Sequence, residues 1–349
     1  MSESAFTSSR PTFYVDGEES PDIGDALTAM VANLPLNGMA HAELNLTNWG
    51  INEGELDPDF TFQGIGLGKR IEVYMGEENE HVRLFNGEVT AVEEHYGEGA
   101  PQVVLLLQDK LHHMARKRNS RVYEDQSPDD IVQTIAREFG LTADVNISSV
   151  VSTYHQINES DLAFLFRLSG RFDIAMRLDG DTLRARSEEA DAEPVILNPQ
   201  DNALRVRLIA DLNHQPKAAH VMGYNAANGQ SVNGTVSALS VPPSGTTAVD
   251  ILDELGWPDE EIIPQPFARS QGEADAYAQA HFNRQAKRFI CGDIHCLGEG
   301  KLNSGREIEL EGVSERLRGI YQVVHCVHRF DGENGYETHV KVNRADWSG

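Results

Sequence analysis

The chain has 349 residues, a mass of 38.6 kDa and a formal net charge of −26, from 55 acidic and 29 basic residues. The length suggests two or three domains, and 40% hydrophobic residues are enough to build a core. The acidic excess argues against binding to nucleic acid or to an anionic membrane, because both need clustered Lys and Arg.

The start of the chain carries no sign of export. Met1–Ala5 lacks the basic and apolar stretches of a secretion signal, and the longest apolar run, Val103–Leu107, is far shorter than the ~18 residues of a membrane span. Three cysteines, an odd number, argue against a disulfide framework. We therefore expect a protein made in the cytoplasm without a signal peptide. To act outside the cell, it would have to be carried within a larger particle.

Residues 1–110 predict a first β-barrel domain. Ala42, Leu44 and Leu46 alternate with polar residues, and the same period of two returns at 71–75. Short strands at this spacing are typical of a small antiparallel barrel or sandwich.

Residues 111–200 predict an α/β insert with two helices and a hairpin. Ser127-Pro128-Asp129-Asp130 supplies an N-cap and a Pro at the first helical position, and Gly140 ends that helix. The second helix is predicted to begin with Asn158 as its N-cap and Asp161 in the reciprocal capping position. Its predicted apolar face consists of Leu162, Leu165 and Phe166.

Residues 201–349 predict a second β-barrel domain. A Pro-rich stretch at 238–269 reads as a long connection with one helical turn at 251–255. A capping box at Ser270 and Glu273 then opens an alanine-rich helix that runs to about Gln285.

The two β-regions share a short pattern. Gly68-Lys69-Arg70-Ile71-Glu72-Val73 recurs as Gly305-Arg306-Glu307-Ile308-Glu309-Leu310, and a glycine with a β-rich run follows each copy, at Gly87 and Gly319. Duplication of one barrel explains this match, and chance is the alternative. The predicted fold class is α+β: mainly β, with two similar β-barrel domains and the α/β insert between them.

Six Cys and His residues are the candidate metal ligands: Cys291, His295, Cys296, His325, Cys326 and His328. Such ligands suit Zn²⁺, but a Cys-x4-Cys spacing is not that of a zinc knuckle. On strands, Cys291 and His295 share one face, while Cys326 and His328 share another. Cysteines packed as small hydrophobic residues explain the pattern more simply. We therefore expect no metal and no cofactor, with a free metal-binding β-protein as an alternative.

Arg116, Lys117, Arg118 and Arg121 form a basic cluster. It is either a solvated segment paired with the protein's own acids or a docking patch for an acidic partner, and both interpretations stay open. No Gly-x-Ser-x-Gly or His-Glu-x-x-His motif is present in the sequence. The chain is therefore predicted not to be an enzyme.

Residues 156–165 read Gln-Ile-Asn-Glu-Ser-Asp-Leu-Ala-Phe-Leu. This stretch, which includes Asn158, Glu159, Ser160 and Asp161, resembles the "Q-x-N-E-S-D-x-x-F-L" signature of the phage late control gene D family. That family includes the hub portion of VgrG proteins. The resemblance runs from about residue 60 to the C-terminus, apart from the Pro-rich connection.

The resemblance implies a baseplate hub of a contractile tail or injection particle. Such hubs are homotrimers with two barrels per chain, and their pseudo-sixfold ring joins a hexameric inner tube above to a trimeric spike below. Further baseplate components are implied as partners, and the signature segment would have a structural, helix-capping role. A hub that also carries a cell-envelope hydrolase or an effector is the alternative function.

One departure from the family concerns the spike. VgrG proteins continue into an OB-fold and a long spike, whereas this sequence stops at Gly349. We therefore expect a separate spike polypeptide, which favours a phage tail, a tailocin or an extracellular-type injector. A channel through the trimer is expected to be lined by part of the acidic excess.

Overall fold

The computed structural model describes residues 10–51, 57–76, 81–97, 99–148, 150–186, 193–257 and 260–348. These residues hold 23 β-strands and six α-helices, so the fold is mainly β, as predicted. The start of the chain, on which the expectation of a missing signal peptide rests, lies outside the described residues.

The first β-unit is an antiparallel array. Its elements are β1 (Thr12–Val15), β2 (Glu18–Glu19), α1 (Pro21–Ala26), β3 (Leu27–Pro35), β4 (His41–Thr47), β5 (Arg70–Met75), β6 (Val82–His95) and β7 (Gln102–Gln108). The strands pair in the order β3-β4-β7-β6-β5-β1-β2. The predicted alternation is confirmed, since Ala42, Leu44 and Leu46 of β4 are buried.

The α/β insert follows directly. Its elements are α2 (Leu111–Ala115), β8 (Arg118–Gln126), α3 (Pro128–Glu138), β9 (Thr142–Asn146), β10 (Ser152–Ser160), α4 (Asp161–Gly170), β11 (Arg177–Asp179) and β12 (Thr182–Arg186). The predicted capping box of α3 is confirmed. The Ser127 hydroxyl accepts from the backbone N–H of Asp130, and the Asp130 carboxylate accepts from that of Ser127.

The rest of the chain holds eleven further strands and two helices. They are β13 (Val195–Leu197), β14 (Ala203–Ala210), β15 (Ala218–Asn225), β16 (Gln230–Val236), β17 (Thr246–Thr247), α5 (Ala248–Leu255), β18 (Glu260–Ala268), α6 (Gln271–Ala286), β19 (Ile290–Leu297), β20 (Glu307–Leu310), β21 (Gly319–Asp331), β22 (Gly335–Arg344) and β23 (Asp346–Trp347).

The predicted long connection at 238–269 is wrong over much of its length. It contains the eight-residue helix α5 and the strand β18, which pairs in parallel with β15. Pro264 and Pro266 fit in β18 because that strand is the edge of the β16-β15-β18 sheet, where one side needs no backbone donor.

The second β-unit repeats the topology of the first. Its strands pair in the order β14-β19-β22-β21-β20, which matches β3-β4-β7-β6-β5 strand for strand in chain order. Irregularities in register fall at matching places: Val89/Ala91 corresponds to Val323/His325, and Leu27/Ala29 corresponds to Ala203/Arg205. Duplication of one unit therefore accounts for the recurring sequence pattern.

The glycines that begin the repeated pattern have the same role in both units. Gly68 donates its backbone N–H to Val89 at 2.8 Å, and Gly305 donates to Val323 at 2.7 Å. Both glycines have positive φ, 83° and 85°. Since Val89 corresponds to Val323, Gly87 corresponds to Tyr321. The predicted equivalence of Gly87 with Gly319 is therefore wrong by two residues.

The two units form one continuous sheet, in which residues 325–331 of β21 pair with β3. The pairings among the described strands follow an open path from β14 to β2, with β13 attached through β20. The expected closed barrels are therefore not found in the hydrogen-bonded ladders.

Helix α6 packs on β15 and β16. Gly234 permits this approach, because a Cβ at that position would lie 2.2 Å from the carbonyl oxygen of Ala274. The predicted start is confirmed, since the Ser270 hydroxyl accepts from the backbone N–H of Glu273 at 3.2 Å. At 16 residues α6 is the longest described helix, and no described helix is long and apolar enough to cross a membrane.

Two hydrophobic clusters hold the fold together. The first joins the two β-units through side chains such as Leu44 and Ile294. The second fills the insert, with Leu165 as one of its buried members, and also takes in Tyr277 of α6. Packing thus groups β15, β16, β18 and α6 with the insert, whereas Ala248 of α5 packs in the first cluster.

Candidate functional site

The segment Asn158-Glu159-Ser160-Asp161 links β10 to α4. The predicted N-cap is wrong: α4 begins at Asp161, and the Ser160 hydroxyl caps it by accepting a backbone N–H of the first turn at 3.2 Å. Asn158 instead has a φ of 49°, a left-handed conformation that Asn tolerates better than most residues. Its carbonyl accepts from Arg118 of β8 at 2.7 Å, which fixes the turn to the neighbouring strand.

Asp161 is 2% exposed and accepts three hydrogen-bond contacts from two side-chain donors. Asn119 Nδ2 donates to both carboxylate oxygens at 3.1 and 2.9 Å, and Gln156 Nε2 donates at 2.8 Å. Glu159 accepts from Arg167 Nε at 3.2 Å. The signature residues therefore connect β8, β10 and α4 within the insert.

The predicted apolar face of α4 packs in the second hydrophobic cluster. Leu162 and Leu165 are buried, and Phe166 packs against the cluster while partly exposed. Phe164, which the prediction omitted, is fully buried and stacks on Tyr123 with ring centroids 5.3 Å apart. The helix is thus covered on a wider arc than one stripe.

The basic segment at 116–121 supports contacts within the insert. Arg118 donates to the carbonyl of Asn158, and Arg121 Nη1 contacts both carboxylate oxygens of Glu138 at 2.9 Å. These contacts favour pairing with the protein's own groups over a docking patch at these two positions.

Strand alternation separates the six Cys and His candidates into two groups. Cys296, Cys326 and His328 are buried in the second β-unit, and Cys326 Sγ lies 3.4 Å from His328 Nε2. His328 Nε2 also lies 3.1 Å from the carbonyl oxygen of Leu302, and Tyr336 Oη lies 2.8 Å from Nδ1. Burial raises the pKa of Cys296 to about 12 and also raises the pKa of Cys326. Both thiols stay protonated at neutral pH, whereas metals bind thiolates.

Cys291, His295 and His325 lie on the opposite face of the same sheet. The Cys291 thiol donates to the carbonyl of Arg288 at 3.5 Å. Burial, followed by the charge of Lys341, lowers the pKa of His325. The six candidates therefore do not converge on one centre, because the strand pleat sends them to two faces.

His295 belongs to a cluster that the sequence analysis missed, with Glu337 and His339 of β22. His295 and His339 are direct partners in the β19–β22 register, and their ring centroids are 3.8 Å apart. His295 Nε2 lies 3.1 Å from Glu337 Oε2, and His339 Nε2 lies 4.0 Å from the same oxygen. Burial, then the neighbouring His295, lowers the pKa of His339. The Glu-x-His spacing at 337–339 is the sequence signal, but its link to His295 depends on strand register.

A concavity of about 500 Å³ borders this cluster. Its charged and titratable lining residues are Arg205, Arg207, Asp293, His295, His325, Arg329, His339 and Lys341. Basic side chains dominate this face of the second β-unit. The lining of this concavity is therefore mainly basic, and the acidic channel lining expected from the net charge stays a prediction.

A second group, Glu88, His112 and His113, lies between the first β-unit and the insert. Each His places its Nε2 atom 3.1 Å from Glu88 Oε2. Burial opposes ionisation of Glu88, but the hydrogen bonds from the two rings outweigh it and lower the pKa of that carboxyl. These three side chains thus satisfy one another.

Among the open strand edges of the described chain, two have counterparts that are paired in the other β-unit. β14 pairs with β19 on one side, and residues 91–95 of β6 pair with β7 on one side. The equivalent strands in the other unit, β3 and β21, pair with each other. The two unpaired edges are therefore the counterparts of two strands that pair with each other in the same chain.

Comparison with known proteins places these features in context. The family model described as "Alg8 N-terminal domain" matches residues 11–331. None of the curated proteins matches the chain.

Solved tail proteins share the fold. The prophage MuSo2 43 kDa tail protein from Shewanella oneidensis has a TM-score of 0.71 and 15% identity, over 97% of this chain and 99% of that one. The tail protein from Neisseria meningitidis MC58 has a TM-score of 0.68 and 9% identity, over 96% of each chain. An E. coli component of the type VI secretion system, described as structurally similar to T4 bacteriophage tail proteins gp27 and gp5, has a TM-score of 0.61 and 13% identity. That match covers 95% of this chain and 76% of the other.

Proposed function

This chain belongs to the Alg8 N-terminal domain family, and from the fold that it shares with tail proteins we propose that it is a structural hub of a contractile tail or injection particle. Three copies form a ring that joins a hexameric inner tube to a separate trimeric spike, as the resemblance to late control gene D and VgrG hubs implies. Other baseplate components attach to this ring. The chain serves as an adaptor without a catalytic role.

The proposal rests on a difference between two equivalent pairs of strands. β3 and β21 are hydrogen-bonded to each other within the chain, whereas their counterparts β14 and β6 each have an unpaired edge. In the internal seam, β3 of the first unit covers residues 325–331 of β21. Because the units share topology and register, β14 is expected to cover residues 91–95 of β6 in another copy. We call this contact the intermolecular seam. Repeating one contact from chain to chain closes a ring.

Exposure at the open edges supports the intermolecular seam. Phe330, opposite Met30 in the internal seam, is 6% exposed, whereas its counterpart Tyr96 in the first unit is 61% exposed. Ile209 on β14 is 54% exposed. Pairing of two copies would bury both side chains and complete the hydrogen bonds of two edge strands, which otherwise invite aggregation.

The internal seam also predicts a register with complementary charges. Asn33 faces Val327 there, so its counterpart Ile209 is expected to face Glu93 of the next copy. Arg207, two residues from Ile209, then lies diagonal to Glu93 on the same face. Pairing of β14 with β14 would instead bring like charges together. The charges therefore favour the head-to-tail contact that a ring needs.

Two units per chain give six units in a trimer. Six near-equivalent units match a hexameric tube on one face of the ring. The insert occurs once per chain, so it reduces the symmetry to threefold where the spike attaches. The basic face beside Arg205 and Arg207 faces the channel in this arrangement.

A designed disulfide tests the seam directly. In a Cys291→Ser background, Glu93→Cys combined with Ile209→Cys is expected to link copies covalently into dimers and trimers under mild oxidation. Cys291 is removed because it lies opposite Ile209 in the β14–β19 register. Native mass spectrometry of the uncrosslinked protein is expected to give three chains per particle.

The matched control combines Glu93→Cys with Arg205→Cys, four positions along β14 and roughly 13 Å from Ile209. This pair is expected to stay unlinked. A stable monomer at high concentration without crosslinking, or equal crosslinking of the control pair, would contradict the proposal.

A further inference from the structure

We propose that His295, Glu337 and His339 bind one divalent transition-metal ion of the zinc type on the exposed face of the second β-unit. The ligand atoms are the two Nε2 atoms and a carboxylate oxygen. This inference does not depend on the hub function, since it concerns two adjacent strands of a single chain.

The geometry brings three ligand atoms together on a rigid support. β19 and β22 place His295 directly opposite His339, and Glu337 lies two residues along the same face. The three ligand atoms all lie within 4.8 Å of one another, with His295 Nε2 3.1 Å from Glu337 Oε2. An ion with bonds of about 2.0–2.1 Å requires ligand atoms roughly 3.3 Å apart in tetrahedral geometry. Small rotations of the side chains reach that spacing.

The described protein atoms leave the two nitrogens unsatisfied. Nε2 of His295 and Nε2 of His339 are buried, and neither forms a hydrogen bond with a described atom; their contacts with Glu337 Oε2, at 3.1 and 4.0 Å, are ion-pair distances only. Their rings lie side by side at 3.8 Å, an arrangement in which two imidazolium charges would repel. A shared cation satisfies both nitrogens and the carboxylate at once.

The ligand types define the class of metal. Two imidazoles and one carboxylate suit Zn²⁺, Co²⁺ and Ni²⁺, whereas Mg²⁺ and Ca²⁺ prefer oxygen ligands alone. Three protein ligands leave a fourth position open toward the concavity that Arg205, Arg329 and Lys341 help to line. The positive charges of these three side chains repel the incoming metal ion, but they favour an anion, such as a carboxylate, as its fourth ligand.

The other His and Glu cluster fits a metal less well. Glu88 Oε2 already lies 3.1 Å from Nε2 of both His112 and His113, and it is hydrogen-bonded to His112 Nε2. That cluster serves as an internal comparison.

The first β-unit supplies matched replacements for each proposed ligand. From the shared register, Asn45 corresponds to His295, Gln102 to Glu337 and Val104 to His339. The same strand positions thus accept non-ligating side chains in this fold. The site belongs to the second unit alone among the described residues.

The experiment uses full-length protein without a histidine tag, stripped with a chelator and titrated with Zn²⁺ alone in a calorimeter. One Zn²⁺ per chain is expected, with a rise in Tm. Co²⁺ is expected to give visible absorption bands typical of tetrahedral coordination. His295→Asn and His339→Val are each expected to weaken binding by roughly 100-fold or more and to abolish the Tm rise. His113→Asn, at the comparison cluster, is expected to bind as the parent does.

Glu337→Gln guards against a folding defect, because it keeps the shape of the side chain and removes the charge. It is expected to weaken Zn²⁺ binding while leaving the Tm of the metal-free protein nearly unchanged. The inference fails if the parent protein binds no Zn²⁺ above background. It also fails if binding survives all three ligand variants, or if His113→Asn is the change that removes it.

Discussion

His328 shows how a polar side chain is accommodated at the centre of a β-core. The ring is fully buried, and Leu302 and Tyr336 provide partners for its two nitrogens. If Nε2 donates to the Leu302 carbonyl, Nδ1 is left to accept from the Tyr336 hydroxyl, and the neutral ring satisfies both contacts. Burial lowers the pKa of His328 to about 4. Protonation of the His328 ring therefore destabilises the folded state.

This environment predicts a pH-dependent loss of stability. The unfolded chain protonates His328 near its ordinary pKa of 6.5, whereas the folded protein resists protonation down to about 4. Stability is therefore expected to fall as the pH drops through that window, by up to about 3 kcal/mol. His328→Gln is expected to be less stable at neutral pH and to lose this part of the slope.

Urea midpoints across the same pH window measure the effect. His214→Gln is the matched control, because the His214 side chain is 83% exposed. Identical slopes for the parent and the His328 variant would show that the buried ring does not control acid stability.

For individual residues, the sequence correctly predicted that the Cys and His residues lie on two different faces of the strands. Alternation along a strand is a local property, and Cys326 and His328 do share a buried face. The cluster of His295 with Glu337 and His339 escaped prediction. Those residues are about forty positions apart and meet only through the β19–β22 register.

At the level of whole elements, the start of α4 depends on two nearby residues, Asn158 and Ser160, with different roles. Ser160 caps the helix through its hydroxyl, which accepts a backbone N–H of the first turn. Asn158 adopts the left-handed turn that brings the chain into position. The Ser160 side chain thus caps the helix, while the backbone of Asn158 forms the turn before it.

Substitutions separate these two roles. Ser160→Ala is expected to lower the free energy of unfolding by about 1 kcal/mol, because it leaves a helix N–H without its acceptor. Asn158→Gly is expected to be nearly neutral, and Asn158→Ala to cost about 1 kcal/mol, because Ala adopts positive φ less readily. Chemical denaturation measures all three. A larger cost for Asn158→Gly than for Ser160→Ala would restore Asn158 as the cap.

Local signals explain which elements were predictable. The N-caps of α3 and α6 and the hairpin of the insert involve neighbours in sequence, and these predictions are confirmed. The capping box predicted for α6 forms only in part, because the Glu273 carboxylate accepts from the backbone N–H of Arg269. β18 was missed because its identity as a strand comes from parallel pairing with β15, some forty residues away. The repeated unit was recognised, but strand pairing was needed to align its second half.

At the scale of the whole molecule, one carboxyl among the described residues has a pKa raised toward neutrality, as the pKa of a catalytic acid often is. Asp109 lies where the first β-unit meets the insert, is 3% exposed, and burial raises its pKa to about 7. Its oxygens accept backbone N–H groups of Ala40 at 2.7 Å and Leu111 at 2.9 Å. The carboxyl is therefore committed to joining two parts of the fold.

We expect the purified protein to release no soluble fragments from peptidoglycan, since Asp109, whose pKa is raised toward neutrality, holds backbone N–H groups of Ala40 and Leu111. Asp109→Asn is expected to match the parent in this assay while lowering Tm. Fragment release by the parent that disappears in Asp109→Asn would assign the hydrolase alternative instead.

If the proposed ring forms, the internal seam also affects how that ring grows from dilute chains. Because β3 and β21 belong to one polypeptide, their pairing is intramolecular and proceeds at the same rate however scarce the protein is. Six separate units would assemble with a sixth-power dependence on concentration by mass action, whereas three fused pairs need only the third power. Fusion also enforces strict alternation of the two unit types around the ring. A component needed in few copies per particle can thereby assemble at low abundance without errors of order.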